Sequence, residues 1–137
     1  MTCILRVSGK QFASRSFARR TTLPVVSAYV RGEPRLPRTN PKGKKHTTSC
    51  VNIEVSAAGF TNLKRQIRDA VSFLGRNRLA LRRLARIRGV EQLTLDFGVT
   101  DRAVAAQFDY FPPDLIAAAG SLGIGIEVSR YHALSGG

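Results

Sequence analysis

The stretch TNLKRQIRDAVSFLGRNRLALRRLARIRG, residues 61–89, decides the fold. Its apolar residues Leu63, Ile67, Ala70, Val71, Leu74, Leu81, Leu84 and Ala85 recur at the 3.6-residue spacing of one helix face. Thr61 or Asn62 offers a side-chain oxygen to cap the first turn, and Gly89 ends the run. Gly75 and Asn77 interrupt it, so the spacing predicts a long helix that is kinked or split in two. A single apolar stripe must be buried against something, and the flanking sequence supplies strands.

Upstream, Cys3, Leu5 and Val7 alternate with Ile4, Arg6 and Ser8 as a half-buried strand that stops at Gly9. Residues 12–23, anchored by Phe12, Phe17 and Leu23, read as a short helix or turn before Pro24. Val26, Ala28 and Val30 give one face of a second strand, with Ser27, Tyr29 and Arg31 on the other, and Val51, Ile53 and Val55 mark a third. Between them runs RGEPRLPRTNPKGKKH, residues 31–46, with three prolines, two glycines and six Lys or Arg against one Glu. That composition predicts a long basic loop. Downstream, Leu93, Leu95, Phe97 and Val99 give a fourth strand, Val104, Ala106, Phe108 and Tyr110 a fifth, and Ile124, Ile126 and Val128 the last. Pro112, Pro113 and Asp114 suit the start of a helix that ends near Leu122, before Gly123. The expectation is a single α+β domain over residues 1–137. It is a two-layer sandwich, with an antiparallel or mixed sheet of about six strands. One long helix and one or two shorter ones pack on one face, and the other face is partly open.

The order LRVSG at 5–9, LP at 23–24, RGEPR at 31–35, TSC at 48–50, a long helix and FPPDLIAAAGSLGIGIEVSRY at 111–131 resembles the bacterial proteins grouped as domain of unknown function 4279. Val51 stands where that family usually has Trp, and FASRSFARR at 12–20 replaces its acidic turn. The resemblance implies the same architecture. It brings no activity or catalytic residue to carry over, and it implies that the positive charge belongs to this chain and not to the fold.

That charge is +13 in 137 residues, from 22 Lys and Arg against 9 Asp and Glu. It is concentrated before residue 91, where only Glu33, Glu54 and Asp69 are acidic, while the remainder is net acidic. Such a field favours a polyanion, an anionic lipid surface or an acidic protein. On a helical wheel Arg65, Arg76 and Arg83 fall within ~20° of one another, with Arg68 and Arg86 ~60° to one side, opposite the apolar stripe. Planar guanidiniums suit phosphate and carboxylate because they donate paired hydrogen bonds. A row of them is a solvated face, a ridge for nucleic-acid phosphates, or a contact for an acidic protein or lipid surface. Arg35, Arg38, Lys42, Lys44 and Lys45 in the 31–46 loop add a basic arm. No aromatic run, helix-turn-helix or zinc spacing is present, so sequence-specific base readout is unsupported.

Other chemistry is weaker. Cys3 and Cys50 are too few for a disulfide framework, which fits a reducing, cytoplasmic compartment. The Arg- and Ser-rich start resembles a transit peptide in composition, but its alternation reads better as a strand. The most apolar charge-free stretch, Leu115 to Ile126, is too short to span a bilayer. His46 and Cys50 are spaced H-x-x-x-C, short of the four ligands of a zinc site. Gly120, Gly123 and Gly125 follow a helix and precede a strand, the reverse of a phosphate loop. If alternation holds, the open sheet face carries Arg6, Tyr29, Arg31, Asn52, Glu54, Asp96, Asp109, Glu127 and Tyr131. Pairing of its carboxylates with Arg6, Arg31 and Arg130 is favoured over acid–base work. The leading reading is a binding domain without a cofactor that engages nucleic acid through the helix ridge and the basic arm. Its alternative is an immunity or inhibitor protein that neutralises an acidic partner.

Overall fold

The alternation at the N-terminus becomes the central strand of a five-stranded sheet. In the computed structural model, which describes residues 2–132, β1 (Cys3–Gly9) is followed by α1 (Ser14–Arg20), β2 (Val25–Tyr29), β3 (Pro34–Leu36), β4 (Asn40–Lys45) and β5 (Ser49–Ser56). Then come α2 (Leu63–Arg76), α3 (Arg78–Ala85), β6 (Gln92–Thr100), α4 (Pro113–Ser121) and β7 (Gly125–Tyr131). The sheet order is β2-β5-β1-β6-β7, and β3 pairs only with β4. Every neighbouring pair in the large sheet is antiparallel except β6 and β7. Strands β1 and β2 therefore run parallel with β5 between them, and β5 and β6 run parallel with β1 between them. These are two interleaved split βαβ units, crossed over by α1 and by α2–α3. The parallel β6–β7 pair also requires a crossover, which α4 provides.

One face of the sheet meets the helices. Leu5, Val7, Val51, Ile53, Leu95 and Phe97 share one buried cluster with Ile67 and Leu74 of α2, Leu81 and Leu84 of α3, and Leu115 and Ala119 of α4. Phe17 of α1 packs at its edge. The outward positions of the same strands carry Arg6, Asn52, Glu54, Thr94 and Asp96. The result is the two-layer α+β sandwich, its sheet mixed. No helix among the described residues is long and apolar enough to cross a membrane.

The long helix is split. Asn62 caps α2, its Oδ1 accepting from the Arg65 amide at 3.2 Å. At Asn77 the backbone leaves the helical region (φ −109°, ψ 19°), and the Asn77 side-chain amide donates to the Phe73 carbonyl at 3.0 Å. A second helix restarts at once. Past α3 the chain crosses the end of β1 at backbone contact. A Cβ on Gly9 would lie 1.8 Å from the Gly89 carbonyl oxygen, and one on Gly89, whose φ is +92°, would lie 2.4 Å from the Gln11 carbonyl oxygen. The Glu91 amide donates to the Ser8 carbonyl at 2.9 Å, and the Glu91 carboxylate accepts from the Lys10 amide at 2.7 Å.

Three sequence expectations are corrected. First, residues 31–46 are not a loop: β3 and β4 form a second, two-stranded sheet inserted between β2 and β5. Prolines at 34, 37 and 41 do not prevent this, because a two-stranded ribbon is all edge and leaves outward-facing amides that proline can do without. Second, residues 104–110 form no strand; 101–112 is an irregular segment with Val104, Phe108 and Tyr110 exposed. Third, a register shift between Val25 and Ser27 puts Val26 in solvent, while Val25 and Ala28 face the core.

The base of the β3–β4 hairpin is tied down by polar contacts. The Glu33 carboxylate accepts from the Val30 amide at 2.6 Å and from the Arg15 guanidinium at 2.7 Å, and the Tyr29 ring stacks on His46 at 3.6 Å. The hydrogen bond from Arg15, then that from Val30, holds the Glu33 carboxyl below its ordinary value. Because the folded carboxyl binds its proton less tightly than the unfolded one, ionisation favours the tied base. The contribution is complete above the ordinary Glu value of about 4.3 and disappears as pH falls through the lower folded value. The protection of the Val30 amide against exchange, taken relative to the intrinsic rate at each pH, is therefore expected to fall on acidification below about pH 4, and to be reduced already at neutral pH in Glu33→Gln.

Candidate functional site

The basic side chains singled out from the sequence are all on the surface. Arg65, Arg68 and Arg76 are exposed on α2, Arg83 on α3 and Arg86 at its C-terminal end, and Arg35, Arg38, Lys42, Lys44 and Lys45 along the β3–β4 hairpin. None of the ten lies within ion-pair distance of a carboxylate among the described residues. Among the described residues, the Lys and Arg side chains that do lie within that distance are Arg6, Arg15 and Arg130. The break at Asn77 corrects one part of the ridge: Arg83 and Arg86 sit on a second helix, so a single wheel no longer aligns them with Arg65 and Arg76. Arg78, Arg82 and Arg88 are exposed as well and were not singled out from the pattern.

Position on the helices separates these cations into two groups. Arg76, Arg82 and Arg83 lie in last turns, where positive charge meets the negative end of the helix dipole. Lys64, Arg65 and Arg68 lie in the first two turns of α2, whose first turn holds no acidic residue. Cations there oppose the dipole, a cost of about 0.3–1 kcal/mol each in the first turn. The second group therefore does not serve helix stability.

On the open sheet face two carboxylates share one cation, and Arg31, expected to pair there, forms no ion pair among the described residues. Arg6 bridges Asp96 at 2.9 Å and Glu127 at 2.8 Å, and the Ser129 hydroxyl donates to the other Asp96 oxygen at 2.7 Å. Burial alone would lower the Arg6 value, but the hydrogen bonds and charges of Glu127 and Asp96 outweigh it and raise it. Asp109 lies on no strand and reaches Arg130 at 3.8 Å. Burial and the neighbouring Cys50 push the Tyr29 phenol up to about 12. Burial raises the Cys3 and Cys50 thiols too, so both resist forming the thiolate that nucleophilic or metal chemistry needs.

The chain matches no family model, no curated protein and no solved structure. The family resemblance therefore rests on its short motifs alone, and the roles of the residues must come from their geometry.

One feature lay outside the sequence reading. The N-terminal end of α2 and the 101–112 segment enclose a cavity of about 750 Å³, whose lining includes Phe60, Phe108, Tyr110, Lys64, Arg68 and Arg102. Its aromatics come from two places 50 residues apart, so no local run announces them. The period-2 pattern at 104–110 did contain a signal, read with the wrong sign. Gln107, Asp109 and Phe111 turn inward, and Phe108 and Tyr110 turn out.

Proposed function

We propose that the protein binds nucleic acid through a cationic surface made by α2, α3 and the β3–β4 hairpin. The supporting observation is the set of ten exposed Lys and Arg side chains without carboxylate partners among the described residues. Five guanidiniums on two consecutive helices repel one another unless an anion lies between them, and phosphates at regular spacing meet that need. The hairpin holds its Arg and Lys on a paired backbone, so ordering them on a phosphate backbone costs less entropy than ordering a free loop would.

A salt titration tests this. Each phosphate neutralised contributes about −0.9 to the slope of log K against log salt on duplex DNA and about −0.7 on a single strand. Six contacts give a slope of about −4 to −5, measured by anisotropy with labelled oligonucleotides. A slope near zero excludes the reading. Leu36 and Leu79, 60% and 68% exposed among these cations, favour a second reading, an acidic protein partner. A partner of that kind buries them, and its complex survives salt that strips nucleic acid away.

A further inference from the structure

We infer that the cavity between α2 and the 101–112 segment receives unpaired bases, so that the nucleic acid engaged by this protein is single-stranded. The inference rests on the nucleic-acid reading and adds the strand state to it. Phe108 and Tyr110 are 84% and 72% exposed, yet the backbone that carries them is tethered. The Gln107 side chain accepts from the Arg102 amide at 2.9 Å and donates to the Thr100 carbonyl at 3.4 Å. Asp109 pairs with Arg130, and the Phe111 ring packs on the core ring of Phe97 at 5.3 Å. With Gln107, Asp109 and Phe111 fixed inward, the two aromatic rings that alternate with them are held in solvent. A third ring, Phe60, is fixed edge-on against Tyr131 at 5.1 Å, and its carbonyl accepts from the Thr100 amide at 3.3 Å.

The cavity combines two kinds of group that single-strand recognition needs. Phe60, Phe108 and Tyr110 offer π-faces, and Lys64, Arg68 and Arg102 offer positive charge beside them. The one carboxylate in the lining, Asp109, is already paired with Arg130. Arg68 belongs both to this lining and to the cationic surface of α2, so a strand tracking that surface arrives at the aromatics. The volume lies in the range of about 300–1,000 Å³ that encloses a ligand of a few rings. Bases in a duplex are stacked on their neighbours and hidden from such rings, and only splayed bases can enter.

The test uses the full chain, a labelled 12-nucleotide oligouridine or oligothymidine, and a duplex of the same length. The chain has no Trp, so tyrosine emission is readable; the tyrosines are Tyr29, Tyr110 and Tyr131. Single-strand binding is expected to quench this emission, and Tyr110→Phe to remove the quench while keeping the affinity. Phe108→Ala and Tyr110→Ala are each expected to weaken single-strand binding about ten-fold, with duplex binding unchanged. Both residues are exposed, so the variants keep the fold. If the alanine variants change nothing while charge reversal at Arg76 and Arg83 still abolishes binding, the base site is refuted and the nucleic-acid reading stands. Uridine monophosphate binding as tightly as the oligonucleotide also overturns the inference. If neither oligonucleotide form binds with a salt-dependent slope, both readings fall.

Discussion

Arg76→Glu/Arg83→Glu and Arg65→Glu/Arg68→Glu are each expected to weaken nucleic-acid binding by about 100-fold, while moving stability in opposite directions. A charge-assisted contact contributes about 1.5–3 kcal/mol, so each loss is roughly ten-fold or more in affinity, and each flattens the salt slope by about 0.9 on duplex or 0.7 on single strand. Stability separates the pairs because the helices present opposite ends. Glutamates at 76 and 83 sit in last turns and oppose the dipole, costing about 0.3–1 kcal/mol each, and Arg76 also gives up its 3.4 Å bond to the Ser72 carbonyl. Glutamates at 65 and 68 replace cations at the positive end of α2, and Glu at 65 stands three residues after the Asn62 cap, the place of a capping-box acid. Anisotropy titrations paired with thermal melts check both halves. Loss of binding in a variant that melts higher than the parent cannot be assigned to unfolding.

Gly89→Ala is expected to destabilise the fold by about 3 kcal/mol, lowering the thermal midpoint by roughly 10 °C, and Gly9→Ala by at least as much. At Gly89 two costs add: φ of +92° is strained for any residue with a Cβ, and that Cβ meets the Gln11 carbonyl at 2.4 Å. At Gly9 the cost is steric alone, but the obstacle at 1.8 Å is the Gly89 backbone and has no rotamer to yield. Relief would require lifting the turn after α3 off β1 and breaking the bond from the Glu91 amide to the Ser8 carbonyl. Gly75→Ala is the control: nothing lies within 4 Å of a Cβ there, and in a helix the change adds about 0.5 kcal/mol of stability. Chemical denaturation of the three variants gives the comparison.

Legibility of the fold in the sequence followed burial. Strands with one face against the helices, as at Leu5, Ile53 and Leu95, kept their alternation because solvent and core impose period two. The helix stripe from Leu63 to Leu84, and its break near Asn77, were readable for the same reason. The β3–β4 hairpin was not, because it buries almost nothing and leaves no hydrophobic pattern to read. At 104–110 alternation was present but the apolar set faces outward, since polar anchors at Gln107 and Asp109 took the inner side. For the candidate site, charge was legible because it is a property of composition, and the aromatic cavity was not, because it exists only once α2 and the 101–112 segment are brought together.

The tied base of the hairpin has a further consequence. Because β2 and β5 are themselves adjacent partners in the large sheet, residues 34–45 add roughly 20 Å of ribbon that the sandwich does not need in order to close. The ribbon's span, and the number of cations along it, can therefore be changed by inserting or deleting residues there without touching the core, while the platform stays the same.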